Sequence, residues 1–135
     1  MHRAFYAARA DAGAVVHLHS TMATAVACLP DADADNPIPP LTPYFVMRIG
    51  RRMPVVQYYR PGDGAMEPAI QLAAQGARAV LLANHGPVVC GRTLTDAVYA
   101  AEELEEAAKL FLLLRQQPPR LLTPHQVDDL LDAFG

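Results

Sequence analysis

Short runs of apolar, often β-branched residues recur along the chain between polar turns, and this pattern is typical of buried strands. Two of these runs, Arg78–Ala83 and Pro87–Cys90, are separated only by the polar turn residues Asn84-His85-Gly86. Helical patterns alternate with the runs, so we expect an α/β fold. The predicted strands are Ala14–His19, Pro54–Tyr58, Arg78–Ala83 and Pro87–Cys90.

Helices are predicted where apolar residues follow a 3.6-residue period and where capping residues precede them. The longest spans about Thr95 to Arg115, with its acidic residues early and basic residues late, as the helix dipole favours. Thr123 and Gln126 have the spacing of a capping box that starts a last helix, which runs to near Phe134. The other predicted elements are helices at His2–Arg9, Ser20–Leu29, Tyr44–Ile49 and Asp63 to about Gln75, and a proline-containing loop at Asp31–Pro43.

Composition narrows the class of protein. The chain has 135 residues, of which 52% are hydrophobic, enough for one domain with a core. A net charge of -3 argues against a nucleic-acid surface. The apolar run Leu110–Leu114 is too short for a membrane span, and the first residues lack the apolar centre of a secretory signal. We therefore expect a cytoplasmic protein with no nucleic-acid or membrane partner.

Two local features have simple structural interpretations. The acidic residues of segment 102–106 are predicted to form a solvated helix face. Cys28 and Cys90 lie far apart among apolar neighbours, which predicts buried free thiols in a reducing compartment.

The run Ala-Val-Val-His-Leu-His-Ser carries the first candidate chemistry. Alternate side chains of a strand share a face, so His17 and His19 can converge on one metal ion. This spacing is weak evidence alone, because one histidine could be buried and hydrogen-bonded and the other exposed.

His85 strengthens the metal interpretation because it lies at the tight turn between two apolar strands. Alone, it could be a turn residue bonded to nearby backbone. Three neutral imidazoles with an open fourth position would form a catalytic site for a divalent cation. Zinc fits this ligand set best, although manganese and other divalent ions remain open.

Tyr44 is the candidate catalytic residue outside the histidine set. It follows the proline-containing loop, and a phenol can donate a proton to a carbanion. A half-buried packing role is the alternative for Tyr44 and the default for Tyr58 and Tyr59. His2 is predicted to pack on its helix and His125 to be exposed.

These motifs resemble the class II aldolase/adducin family. The resemblance is carried by Val15–Ser20 and Leu82–Gly86, and by the helical segment Ala97–Glu105. Within the family, Leu41–Tyr44 and Tyr58–Asp63 are most similar to 3-oxo-tetronate 4-phosphate decarboxylases. The similarity extends over essentially the whole chain.

The resemblance implies a single domain over residues 1–135 with three α/β/α layers and a mainly antiparallel central sheet. It implies a divalent metal, usually zinc, held by His17, His19 and His85. It also implies a homotetramer, in which Tyr44 reaches a neighbouring subunit's site and handles a proton. The substrate would be a small phosphorylated sugar acid that loses carbon dioxide and yields dihydroxyacetone phosphate.

The family resemblance also implies residues that this sequence does not show. Family members carry phosphate-binding loops and a glutamate ahead of the segment that matches Met1–Arg3, and Glu67 does not match their context. The chain therefore resembles an N-terminally truncated relative, and we expect residues 1–135 to bind metal with weak or no activity alone. An aldolase or epimerase of the fuculose- or ribulose-phosphate type, and a non-catalytic adducin-like assembly module, remain alternatives.

Overall fold

The computed structural model describes residues 1–135 and contains a four-stranded sheet with helices on both faces. The strands are β1 (Ala14–His17), β2 (Val55–Val56), β3 (Ala79–Leu82) and β4 (Gly86–Gly91). The helices are α1 (His2–Ala8), α2 (Thr21–Ala27), α3 (Pro43–Ile49), α4 (Met66–Ala73), α5 (Leu94–Leu114) and α6 (Pro124–Phe134).

The sheet has the strand order β1-β4-β3-β2. β4 pairs antiparallel with both β1 and β3, whereas β2 pairs parallel with β3. The predicted mainly antiparallel sheet is therefore confirmed, with one parallel pair at its edge. The hairpin between β3 and β4 brings Leu82 opposite Gly86, and β1 ends with His17 opposite Val88.

Two hydrophobic clusters explain the three layers. Side chains alternate across a strand, so Ala79 and Leu81 pack under α2, α3 and α5, while Val80 and Leu82 pack under α1 and α4. All four residues of β3 are buried, because both faces of the sheet are covered. The predicted α/β/α arrangement is confirmed.

Side-chain caps fix the starts of three helices. Thr93 accepts a hydrogen bond from the Asp96 backbone N–H at the start of α5, and Thr42 does the same for Phe45 in α3. The predicted capping box of Thr123 and Gln126 is present at α6. None of the helices is both long enough and apolar enough to cross a bilayer.

Several predicted boundaries are wrong by a few residues. β1 ends at His17 and not at His19, and β2 has two residues where five were predicted. Asp63 does not cap α4: its side chain accepts the Ala65 N–H in a turn, and the helix begins at Met66. The ends of short elements depend on long-range packing, which local propensity does not report.

Candidate metal centre

His17 is fixed by the edge of the sheet. It is the last residue of β1, and its Nδ1 lies 2.9 Å from the carbonyl oxygen of Pro87 on the paired strand. A carbonyl only accepts, so Nδ1 carries the proton and Nε2 presents a lone pair. This is the tautomer that a metal-binding imidazole needs.

His19 lies beyond the end of the strand, yet its ring meets that of His17. The two Nε2 atoms are 3.2 Å apart, and His85 Nε2 is 3.0 Å from His19 Nε2. The three histidines together could hold a metal ion, because their ligand nitrogen atoms all lie within 4.8 Å of one another. The predicted convergence of three imidazoles is thus observed.

The geometry of this donor set fits a small divalent cation. Zinc–nitrogen bonds of about 2.0–2.1 Å in a tetrahedron place ligand nitrogens about 3.3 Å apart. Two of the three pairs have close to this separation, at 3.2 and 3.0 Å. The Nε2 atom of His17 carries a lone pair, and a shared cation can coordinate it together with the Nε2 atoms of His19 and His85.

His85 is positioned by an unusual turn. Asn84 has a φ of 56° and Gly86 a φ of 145°, so the chain reverses sharply around the histidine. A Cβ on Gly86 would lie 2.5 Å from the Leu18 carbonyl oxygen, which only glycine avoids. Hydrogen bonds from Asn84 N–H to the Ala27 carbonyl and from the Thr24 hydroxyl to the His85 carbonyl fasten the turn to α2.

Burial favours the neutral, metal-binding form of two of the imidazoles. The pKa of His17 is lowered, mainly because burial removes solvent from its ring. The hydrogen bond to Pro87 opposes this effect, and the neighbouring imidazoles add to it. Burial also lowers the pKa of His85, and His19 adds to that effect. Both shifts favour neutral rings, which are the species that coordinate a cation.

Glu105 supports the site from α5, and the sequence pattern did not predict this role. Its carboxylate accepts the backbone N–H groups of Met22 at 2.8 Å and Ala23 at 2.9 Å, at the start of α2. Glu103 accepts a hydrogen bond from the Thr42 hydroxyl. The prediction of a merely solvated acidic face is therefore wrong at these two positions; a glutamate in the middle of α5 gives no local sign of its distant partner.

Tyr44 does not belong to the histidine cluster. It lies in the first turn of α3 and is 65% exposed, so its phenol is open to solvent or to another molecule. No hydrogen bond joins it to the three histidines.

Other candidate residues are also outside the cluster. His2 is exposed and not packed, contrary to prediction, whereas His125 is exposed as predicted. Cys90 is buried but Cys28 is exposed, so the prediction of two buried thiols is half wrong. Glu67 pairs with Arg3 at 2.8 Å and contributes nothing to the metal centre.

The sequence matches the family described as Class II Aldolase and Adducin N-terminal domain over residues 1–112. This chain belongs to that family. The predicted resemblance is confirmed, and the histidine cluster lies within the matched residues.

Curated relatives of this family member include enzymes named 3-oxo-tetronate 4-phosphate decarboxylase. Those of Escherichia coli strain K12 and Haemophilus influenzae are each 49% identical over 129 residues, which is 96% of this chain and 60–61% of the relative. An L-fuculose phosphate aldolase of Escherichia coli is more distant, at 32% identity over 135 residues, 98% of this chain and 60% of the relative. The chain spans about 60% of the length of the curated relatives it matches.

Solved structures show the same relationship. YgbL from Escherichia coli, described as a putative aldolase/epimerase/decarboxylase, is 49% identical with a TM-score of 0.89, over 94% of this chain and 61% of that chain. An L-fuculose 1-phosphate aldolase is 30% identical with a TM-score of 0.78, over 96% of this chain and 58% of that chain. The fold of this family member therefore follows theirs over the part they share.

Proposed function

We propose that this chain is part of a metal-dependent carbon–carbon lyase that decarboxylates a 3-oxo-tetronate 4-phosphate. The products are carbon dioxide and dihydroxyacetone phosphate. The observation that carries the proposal is the convergence of three imidazole nitrogens from the end of β1 and the β3–β4 turn. The identity of 42–49% with five curated decarboxylases, against 32–33% with aldolases, supports this reaction over aldol cleavage.

We infer that His17, His19 and His85 hold the cation and that it is zinc. Three neutral nitrogen donors with an open position are the ligand set of catalytic zinc sites. When bound, the cation supplies a Lewis acid that stabilises negative charge on a substrate oxygen. The Pro87 carbonyl holds the His17 ring in its coordinating tautomer, and the β3–β4 turn holds His85.

Tyr44 is proposed to donate the proton that replaces carbon dioxide on the substrate carbon. Loss of carbon dioxide leaves an electron pair on carbon, and protonation there completes dihydroxyacetone phosphate. The phenol is exposed on α3, whose start is fixed by the Thr42 cap and by Pro43 at the first helical position. We therefore propose that Tyr44 acts in a neighbouring subunit's site within a homotetramer.

The activity test must supply the residues of the longer relatives that have no counterpart in residues 1–135. We expect these residues ahead of the segment matching Met1, so we would join the N-terminal segment of the Escherichia coli relative to this chain. Metal content, carbon dioxide and dihydroxyacetone phosphate would be measured for this chimera and for residues 1–135 alone.

We expect equal release of the two products by the metal-loaded chimera and little or none by residues 1–135 alone. The His85→Ala chimera should release neither product, while the His125→Ala chimera should match the parent. Release of an aldehyde from a ketose phosphate, without carbon dioxide from the oxo acid, would instead establish an aldolase. A folded, metal-loaded chimera that processes neither substrate would refute the lyase proposal.

A further inference from the structure

A second polar site lies at the end of the sheet opposite the histidines. It is a cavity of about 360 Å³, which we call the arginine cavity. Four arginines and two aspartates contribute to its lining: Arg9, Arg48, Arg78, Arg92, Asp11 and Asp96. Four cationic side chains around one concave surface indicate an anion site, because like charges brought together without a counter-charge repel.

The carboxylates within the arginine cavity do not balance its charge. Arg9 binds both carboxylate oxygens of Asp11, at 2.9 and 2.7 Å, and Arg48 lies 3.8 Å from Asp96. Arg78 and Arg92 have no ion pair. Gly135 also lines the cavity, and its terminal carboxylate pairs with no arginine; counted with the two aspartates, it makes three negative charges against four positive ones, which leaves a surplus of one.

The structure holds most of these arginines in place before a ligand arrives. Arg78 is half-buried and donates from Nη1 to the Met47 carbonyl at 2.9 Å, which leaves its other N–H groups for a ligand. The guanidinium of Arg48 lies 5.6 Å from the centre of the Tyr99 ring. Arg92 is exposed and makes no hydrogen bond through its side chain. Fixed donors reduce the entropy lost on binding.

The shape and charge of the cavity point to a phosphate group. Guanidinium groups bind phosphate oxygens through paired hydrogen bonds, and an anionic phosphate group matches the net positive charge of the lining. Phe134 and Met47 add apolar surface beside the arginines, which suits the carbon skeleton of a phosphate monoester. We propose that the arginine cavity binds the phosphate of a small phosphorylated compound.

This site is separate from the histidine centre within the chain. The cavity borders Gly91 at the end of β4, whereas the histidines surround Gly86 at its start. Five residues of strand separate these points, or about 16 Å. The proposal therefore does not depend on the lyase assignment, and it can fail or succeed independently.

Calorimetric titration of the protein, with its metal content measured, tests the proposal using inorganic phosphate and glycerol 3-phosphate as separate probes. The variants are Arg92→Gln, which loses a cation that makes no hydrogen bond or ion pair, and Arg78→Gln. Arg120→Gln is the matched control, because Arg120 is exposed, unpaired and outside the cavity. Thermal unfolding of each variant reports whether the fold is retained.

We expect binding of at least one probe with a Kd below about 1 mM, and about tenfold weaker binding for Arg92→Gln. Arg120→Gln should bind as the parent does. If only inorganic phosphate binds, the ligand is the free anion. If glycerol 3-phosphate binds more tightly, the ligand is a phosphate ester. Absence of binding, or equal affinity in Arg92→Gln, Arg78→Gln and Arg120→Gln, overturns the proposal. A change in oligomeric state for Arg92→Gln without a change in phosphate affinity overturns it too, and assigns the arginines to a contact between copies.

Discussion

The carboxylate of Glu105 and the backbone N–H of Met22 are 2.8 Å apart, although 83 residues separate them in sequence. The other carboxylate oxygen accepts the next N–H, from Ala23. Glu105 thus provides the cap that a helix normally takes from its own N-cap side chain. Because α2 follows directly after His19 and Ser20, this contact couples the long helix to the metal centre.

Replacing Glu105 should destabilise the protein. A hydrogen bond to a charged group contributes about 1.5–3 kcal/mol, so we expect Glu105→Ala to lower the free energy of unfolding by about 2–3 kcal/mol. Glu105→Gln, which keeps one acceptor, should lose less. Urea unfolding measures both variants. Glu102→Gln on the exposed face is the control, and an equal loss there would contradict the capping role.

Ser20 should be dispensable for stability, unlike an ordinary N-cap serine. Its hydroxyl is buried without a partner, because Glu105 already occupies the N–H groups that the hydroxyl would accept. We expect Ser20→Ala to change the free energy of unfolding by less than about 0.5 kcal/mol, and Thr123→Ala, which removes a formed capping box, to lower it by about 1 kcal/mol. Equal losses in chemical denaturation would argue against this difference.

Gly86 should tolerate no side chain. Alanine there would combine an unfavourable φ of 145° with a Cβ 2.5 Å from the Leu18 carbonyl oxygen. We expect Gly86→Ala to lower the free energy of unfolding by at least about 2 kcal/mol and to weaken metal binding, because the turn that carries His85 must move. Gly64→Ala is the control, since nothing lies within 4 Å of its Cβ position. A Gly86→Ala protein with parental stability would disprove the strained turn.

Metal binding should require His85 and not His125. Loading the protein with cobalt(II) allows the ligand geometry to be followed by visible absorption. Removing a direct ligand should weaken binding by more than about 100-fold, since even the loss of a supporting contact costs 10–100-fold. His85→Ala should therefore lose the absorption bands while His125→Ala retains them. Bands of equal intensity in both variants would exclude His85 as a ligand.

Glu103 should make stability depend on pH in the opposite sense to an ion-paired carboxylate. Burial raises its pKa, against the Thr42 hydrogen bond and Arg48, which lower it. The folded state therefore holds the proton more tightly than the unfolded state. The stability contribution is present below the unfolded pKa and is lost as pH rises through the higher folded pKa.

The neutral variant Glu103→Gln tests that linkage. We expect its free energy of unfolding to fall less than that of the parent when the pH is raised from about 4 to 7. Urea unfolding at several pH values provides the comparison. Glu102→Gln, an exposed neighbour, should keep the parental pH dependence, and an unchanged slope in Glu103→Gln would contradict the raised pKa.

The sequence alone determined the alternation of strands and helices, the α6 capping box, and His17, His19 and His85 as the residues to examine. Periodicity, capping and turn chemistry are local, so they can be recognised without coordinates. The strand lengths were predicted less accurately from the sequence: His19 lies outside β1, and β2 contains two of its five predicted residues. Strand ends depend on the partner strand and not on propensity.

Only the tertiary structure decided that the three imidazoles meet, because His85 lies 66 residues beyond His19 and its direction depends on the β3–β4 turn. The same holds for Glu105 as the cap of α2 and for the arginine cavity, whose members come from separate parts of the chain. A periodic pattern records which face of an element is buried. It does not record which distant group that face meets, since that depends on how the elements pack around both sides of the sheet.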